Sequence, residues 1–235
     1  MSTIIIIPAY NEEKRIAAVV AAACVSAPDA DVVVINDCSR DATAAAARQA
    51  GAIVVSHPFN MGYGAAIQTG YKYARDKGYD VLVQLDADGQ HDPACIPALL
   101  APVVAGKADI AIGSRFLGNS YQPPFARRVG MALFRRIVSA VTGAYISDTT
   151  SGYQAFNRDV IRFFATDIFP VDYPDADMLI MLHRAGFRMT EIPVRMFENS
   201  EGKSMHNGFK PIYYMFKMLL SIFVTLLRDK AGFNR

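Results

Sequence analysis

Short apolar runs alternate with longer amphipathic stretches through the first half of the chain. Residues 3–7 (TIIII) are β-branched and stop at Pro8, which predicts a buried strand. Residues 12–27 predict a helix whose acidic first turn suits the helix dipole. The alternation continues with a strand at 31–35 (DVVVI), a helix at 39–51 closed by Gly51, a strand at 52–56 and a helix at 64–78. A strand at 80–85, a helix near 94–105 and a strand at 109–114 complete the half. Strands separated in this way by helices imply βαβ units. The expected fold class is α/β: a doubly wound, mainly parallel sheet with helices on both faces.

The second half is less regular. A helix is expected over 124–143, a turn, strand and helix over 150–164, and a helix over 175–187. Residues 188–196 alternate like a strand, and Pro193 suggests an edge position. A loop at 198–208 leads to an apolar segment, 211–230, with Lys217, Ser221, Thr225 and Arg228 spaced as one narrow polar stripe on a helix. The uninterrupted part, Ile212 to Leu227, falls short of the roughly 20 residues of a spanning helix. It reads as an amphipathic C-terminal helix at a membrane surface, with Lys210, Lys217, Arg228 and Lys230 toward anionic headgroups. The plain alternative is a core or oligomerisation helix. The expected division is a catalytic domain over 1–207 and a membrane-interface or oligomerisation helix over 208–235.

With 235 residues, 52% hydrophobic and 20% charged, the chain has enough apolar material for a sizeable core. A net charge of +2 gives no global reason to expect a nucleic-acid partner. Cys24, Cys38 and Cys95 show neither a CxxC pair nor metal-ligand spacing, which fits plain thiols in a reducing compartment. The N-terminus enters the first strand without a basic n-region or cleavage site, so a cytoplasmic location is expected.

Ligands of open α/β sheets bind outside the carboxyl ends of the strands, and the candidate motifs fall there. The first strand ends in PAYNEE, with Pro8, Ala9, Tyr10, Asn11 and Glu12 in the turn. The second ends in NDCSRD, where Asp37 or Ser39 could cap the next helix. Together Glu12 and Asp37 could line one cleft and accept hydrogen bonds from a ribose or base. NMGYGAAI has Gly62 and Gly64 but Ile67 at the third glycine position, and it follows the third strand, which argues against a Rossmann cofactor site.

The fourth strand ends in LDADGQ. Asp86 and Asp88, one residue apart, repel unless a cation lies between them. Hard oxygen ligands suit Mg²⁺ or Mn²⁺, which usually also hold diphosphate oxygens, and Gln90 could add a neutral oxygen. A polar, capped turn is the plain alternative for such a pair, and a solvated turn residue is the default for His91. GSRF places Arg115 on the same rim, and Arg127 and Arg128 open the next helix; arginine forks match phosphate oxygens. Arg135 and Arg136 read as a solvated helix face.

PAYNEE, NDCSRD, NMGYGAA, LDADGQ, GSRF, DTTSGYQAFNRDVI and HRAGFRMTEIPVR, in that order from about residue 3 to 204, together resemble family 2 glycosyltransferases of the GT-A fold. More narrowly, they resemble enzymes that move a sugar from a nucleotide donor to polyprenyl or dolichyl phosphate. The resemblance implies a nucleotide-sugar site formed by Pro8, Ala9, Tyr10, Glu12, Asp37, Gly62, Asp86, Arg115, Arg127 and Arg128. It puts Asp86, Asp88 and Gln90 around the metal, with Asp88 the direct ligand. Two features depart from the family pattern. Asn36, Asp37 and Cys38 stand where two acids and a glycine are usual, and Tyr63 where a lysine is common.

The implied reaction is inverting displacement at an anomeric carbon with a nucleoside diphosphate leaving. A lipid phosphate acceptor is already an anion, so it needs positioning more than a strong base. By position relative to Gly186, Asp175 and then Asp177 are the base candidates; a helix N-terminus dressed with acids is the plain alternative. Asp148, Ser151 and Gly152 are expected near the acceptor side. Arg195, Lys203, Ser204 and His206 offer groups suited to the acceptor phosphate. UDP-GlcNAc or UDP-glucose is the preferred donor, with GDP-mannose as the alternative. Further expected partners are a membrane surface and either a small membrane protein or a second copy of the chain. Other readings are a family 2 enzyme acting on a lipid-linked glycan and a non-catalytic nucleotide-binding scaffold. Sugar-nucleotide synthesis would want a basic, glycine-rich loop after the first strand, which PAYNEEKR is not.

Overall fold

A computed structural model describes residues 1–118, 125–170, 174–197 and 210–227; the side chains of 125–127, 129 and 210–214 lie outside that description. Seven strands form one sheet in the order β3-β2-β1-β4-β6-β5-β7. They are β1 (Thr3–Ala9), β2 (Ala30–Asn36), β3 (Ile53–Ser56), β4 (Val81–Gln84), β5 (Ile110–Ser114), β6 (Gln154–Asn157) and β7 (Met189–Pro193). All the pairings are parallel except those of β6, which lies antiparallel between β4 and β5. The mixed α/β sheet is the expected fold class, and Pro193 does end an edge strand. The insertion of β6 has a consequence for the rim. Running against its neighbours, β6 begins where β4 and β5 end, so the turn before it joins their carboxyl ends.

The helices are α1 (Ile16–Ser26), α2 (Thr43–Gln49), α3 (Tyr63–Lys77), α4 (Ile96–Val104), α5 (Phe125–Thr142), α6 (Arg158–Phe164), α7 (Ala176–Arg184) and α8 (Lys210–Leu227). Alternate residues of β1 feed two cores, as the two-residue period of a strand requires. Ile4 and Ile6 join Tyr71, Phe156, Phe164 and Leu179 on one face. Ile5 and Ile7 join Ile16, Val20, Leu85 and Leu99 on the other. Tyr71 is the aromatic hub of the first core, with its ring edge-on to Phe156 at 5.5 Å between centroids.

Two boundaries differ from the sequence reading. The first strand does not stop at Pro8: Pro8 and Ala9 still pair with Ile35 and Asn36 of β2, while the β4 pairing ends at Ile6. Proline fits there because one flank of the strand is already open. The helix expected from residue 12 begins at Ile16, so Glu12 and Glu13 belong to the preceding turn rather than to the first helical turn.

The polar stripe of α8 points the other way from expectation. Met218, Ile222 and Thr225 are buried, and Ser221 hydrogen-bonds Asp177 of α7. Arg184 closes the helix end by donating to the carbonyls of Thr225 and Leu226 at 2.8 and 2.9 Å. Short hydroxyl side chains can be buried when bonded, whereas Phe216, Leu219, Leu220, Phe223, Val224, Leu226 and Leu227 are left outside. The outer face is therefore apolar, and the inner face is part of the main core through Met218 and Ile222. Among the described residues no helix is long and apolar enough to cross a membrane. Arg228 and Lys230 lie outside the described residues.

Candidate active site

The turns after β1 and β2 are cross-linked to one another. Asn11 N–H donates to Ser39 Oγ at 3.0 Å, and Arg40 N–H returns to Asn11 Oδ1 at 2.8 Å. Glu12 N–H donates to Thr43 Oγ1 at 2.7 Å, and Glu13 N–H to Asp41 Oδ2 at 3.2 Å. Glu13 Oε2 in turn accepts from Ala42 N–H at 2.9 Å. The expected local caps at Asn11 and Ser39 are thus cross-links between two loops. Asn11 and Cys38 hold φ values of 56° and 58°, and the left-handed region suits asparagine better than cysteine. A glycine at position 38 would hold that φ without the steric penalty.

The lock leaves Tyr10 exposed and Glu12 half-buried beside the rim. Burial raises the Glu12 pKa, Arg15 at 2.8 Å opposes that, and the neighbouring Asp88 adds to it. Asp37 is turned inward. Its carboxylate accepts from the backbone N–H groups of Met61 and Gly62, each at 2.8 Å, and meets His57 Nδ1 at 2.8 Å. The other His57 nitrogen meets Thr69 Oγ1 at 2.9 Å. Asp37, expected at a nucleoside, holds the loop that starts α3. Gly62, at φ 91°, is the N-cap of that helix.

Beyond β4 the chain brings Asp86 and Asp88 to the rim, both partly exposed. Asp86 Oδ1 accepts from Tyr63 Oη at 2.8 Å, and its N–H donates to His91 Nδ1 at 3.1 Å. His91 is not the solvated turn residue expected: it is buried and stacked on Tyr153 with centroids 4.8 Å apart. Asp88 Oδ1 accepts from Gln90 N–H at 2.9 Å, and Gln90 Nε2 donates to Oδ2. Gln90 thus approaches through its nitrogen and braces Asp88 rather than presenting an oxygen. Asp86 and Asp88 could hold a divalent cation. Among the described residues no group of three or more His, Cys, Asp or Glu converges to bind a metal. Phosphate oxygens and water would have to complete the shell, which is how Mg²⁺-type sites are usually built.

The opposite side of the rim is built from the turn before β6 and the start of α7. Arg115, expected at a phosphate, forms a buried two-pronged pair with Asp148, with both contacts at 2.6 Å, and also donates to Thr150 Oγ1 at 2.8 Å. Glu191 of β7 holds the same turn, accepting from the N–H groups of Ser147 and Asp148 at 2.8 and 2.9 Å. Ser151 is buried and accepts from Tyr153 N–H at 3.3 Å. Gly152 closes the turn against Tyr63 and Asp86: a Cβ there would lie 3.0 Å from Tyr63 Oη.

Asp175 is the N-cap residue of α7 and lies near enough to Tyr63 for its charge to bear on the phenol. Asp177 is closed off from the rim, which corrects its reading as a base candidate. It is fully buried, accepting from the N–H groups of Asp175 and Met178 at 3.1 and 2.9 Å and from Ser221 Oγ, and burial raises its pKa. Arg128 is exposed on α5 and lines a small cavity with Phe116, Met131 and Ser147. Arg127 lies on the same helix with its side chain outside the described set. Arg195 is largely exposed and donates to Asp92 Oδ2 at 2.9 Å, while Phe197 N–H donates to Gln90 O at 2.7 Å. Lys203, Ser204 and His206 lie outside the described residues. Sequence reasoning misses Tyr63, Gln84 and His57 as site-building residues; for Tyr63 the signal is its place at the head of a helix, between Gly62 and Gly64.

A model described as Glycosyl transferase family 2 matches residues 4–164. The chain belongs to that family. Relatives of similar length align along most of it. An undecaprenyl-phosphate mannosyltransferase of Micrococcus luteus is 32% identical over 222 residues, 88% of each chain. A polyprenol monophosphomannose synthase of Mycolicibacterium smegmatis is 32% identical over 228 residues, covering 92% of this chain and 85% of the relative. A UDP-N-acetylglucosamine–dolichyl-phosphate N-acetylglucosaminyltransferase of Methanococcus voltae is 28% identical over 239 residues, covering 92% and 94%. In fold, the chain is similar to glucosyl-3-phosphoglycerate synthase of Mycobacterium tuberculosis, crystallised with Mn²⁺, UDP-glucose and phosphoglyceric acid. The TM-score is 0.67 at 20% identity, covering 98% of this chain and 80% of that one. The protein is a family 2 glycosyltransferase with a GT-A-like fold, as the motif resemblance implied.

Proposed function

We propose that this glycosyltransferase moves one hexose or N-acetylhexosamine from a nucleotide sugar to polyprenyl phosphate, with inversion and with a divalent cation. The observation that carries the reading is the pair Asp86 and Asp88 held half-open at the end of β4, with the Gly152 turn closing on Asp86 and Glu12 near enough for the Asp88 charge to bear on it. The relatives' names supply the acceptor class, since each is named for a polyprenol or a polyprenyl or dolichyl phosphate. They also widen the donor choice. Mannose, which two of them are named for transferring, stands beside N-acetylglucosamine and glucose, so GDP-mannose and the UDP-sugars are both candidates.

In the proposed reaction an acceptor phosphate oxygen attacks the anomeric carbon as the bond to the diphosphate oxygen breaks, and the nucleoside diphosphate leaves with the electron pair. Glu12 and Tyr10 face the nucleoside. Asp88, braced by Gln90, and Asp86, braced by Tyr63, face the diphosphate. Mg²⁺ or Mn²⁺ bound there would neutralise charge growing on the leaving group. Arg128 and Arg195 supply cationic positioning, while Arg115 acts one step back by fixing the 148–150 turn. Asp175 orients the acceptor side. The outer face of α8, with Phe216, Leu220, Phe223 and Leu227 exposed, rests on the membrane that holds the acceptor.

Incubation with a panel of UDP- and GDP-sugars, polyprenyl phosphate and Mn²⁺ or Mg²⁺ tests the reading. Formation of a lipid-phosphate monosaccharide supports it. Donor binding without turnover across the panel, membranes included, would support a scaffold instead.

A further inference from the structure

Tyr63 opens α3 at the rim, and its hydroxyl lies between two separate segments, the end of β4 and the turn before β6. It donates to Asp86 Oδ1 at 2.8 Å and receives Gln84 Nε2 at 3.5 Å. Gln84 is itself oriented from inside the core, where Tyr71 Oη donates to its Oε1 at 2.9 Å and so turns its nitrogen toward Tyr63. Gly152 stands on the far side. A Cβ added there would lie 3.0 Å from Tyr63 Oη but an ordinary 3.4 Å from Asp86 Oδ2 and 3.5 Å from Gln84 Nε2. The tightest neighbour of that glycine is therefore the phenol oxygen. The phenol hydroxyl thus donates to the carboxylate and accepts from the amide.

We propose that Tyr63 is a positioning residue which aims the Asp86 carboxylate at the donor diphosphate and sets the gap between the donor side and the Gly152 turn. The inference rests on the functional reading above, because it takes Asp86 to face the metal and diphosphate. A tyrosine can do both jobs because its ring spans the distance from the head of α3 while the oxygen at its tip makes the contacts. Phenylalanine would keep the ring and lose only the contacts.

The test uses Tyr63→Phe, Gly152→Ala and the double variant of the full chain. Mn²⁺ binding is titrated by electron paramagnetic resonance in the presence of UDP and, separately, of GDP, alongside turnover. Tyr63→Phe should weaken Mn²⁺ binding roughly tenfold, the scale of losing one hydrogen bond to a charged group, with the thermal transition close to that of the parent. Gly152→Ala should lower turnover roughly tenfold in the parent but less than about twofold in the Tyr63→Phe background, since the oxygen its methyl would strike is gone. Unchanged Mn²⁺ affinity in Tyr63→Phe, or an equal loss from Gly152→Ala in both backgrounds, would overturn the inference alone. Failure of the parent protein to bind Mn²⁺ beside either nucleotide would overturn the functional reading and this inference with it.

Discussion

At the ends of β1 and β4, Glu12, Asp86 and Asp88 keep part of their surface open at the rim. Behind that rim, Asp148 is 1% exposed and Asp177 is 0% exposed, one paired with Arg115 and the other bonded to Ser221. Both regions place acids in the turns beside strands and helices, yet one set stays open at the rim and the other ties elements together. Asp37 shows that the division follows contacts rather than chain position. It lies at the end of β2, among the presented acids, and is 3% exposed because it holds the backbone of Met61 and Gly62. The difference teaches that position at a strand end does not decide whether an acid stays open: Asp37, Asp148 and Asp177 are closed in by the groups they bond, whereas Asp86 and Asp88 keep free surface beside theirs.

The largest expected effect falls on the presented side. Asp88→Ala should reduce sugar transfer by about a thousandfold or more, the scale of losing leaving-group stabilisation, while the urea midpoint stays near that of the parent. A large loss of stability with transfer preserved would reverse the comparison. Asp148→Ala should do the opposite. It leaves a buried guanidinium without its carboxylate and should cost about 3–5 kcal/mol in urea unfolding. A cost under about 1 kcal/mol would show that the pair is not a structural tie.

Asp177 sharpens the comparison through pH. Its native pKa is raised by burial, so its contribution to stability is fully present below the unfolded value of about 3.9 and is lost as pH rises through the native value. Asp177→Asn stays neutral. Its stability should therefore gain on that of the parent as pH climbs from about 4, levelling off above the native pKa. A gap independent of pH in paired denaturation curves would contradict this. The smallest effect is expected at Cys38. Glycine removes the penalty of φ 58° but adds backbone freedom to the unfolded chain, so Cys38→Gly should stabilise by no more than about 1 kcal/mol. A loss of stability there would mean that the thiol contact to the Pro58 carbonyl matters more than the backbone.

Much of the fold was legible because buried parallel strands are short and β-branched, and the helices between them carry amphipathic periods. The rim was legible for the same reason: Glu12, Asp86 and Asp88 all follow such strands. Partners were not legible. Arg115 reads as a phosphate fork until Asp148, far along the chain, is brought beside it by β6, whose position between β4 and β5 no local pattern reveals. The stripe on α8 was visible as a stripe, but serine and threonine suit either a wet face or a bonded interior, so its direction depended on Asp177. His91 was read as solvated because its ring partner, Tyr153, enters from another strand's turn. In each case periodicity reports which residues share a face and says nothing of what lies opposite.

The central claim is that the Asp86–Asp88 rim joins a nucleotide sugar to a lipid phosphate with the help of a divalent cation. Mass spectrometry of the lipid fraction after incubation with Mn²⁺, a sugar nucleotide and polyprenyl phosphate tests it most directly. The account predicts a polyprenyl phosphate heavier by one sugar, absent after chelation and restored when Mn²⁺ is returned. A protein that binds UDP or GDP with Mn²⁺ yet leaves the lipid phosphate unmodified with every donor would contradict it.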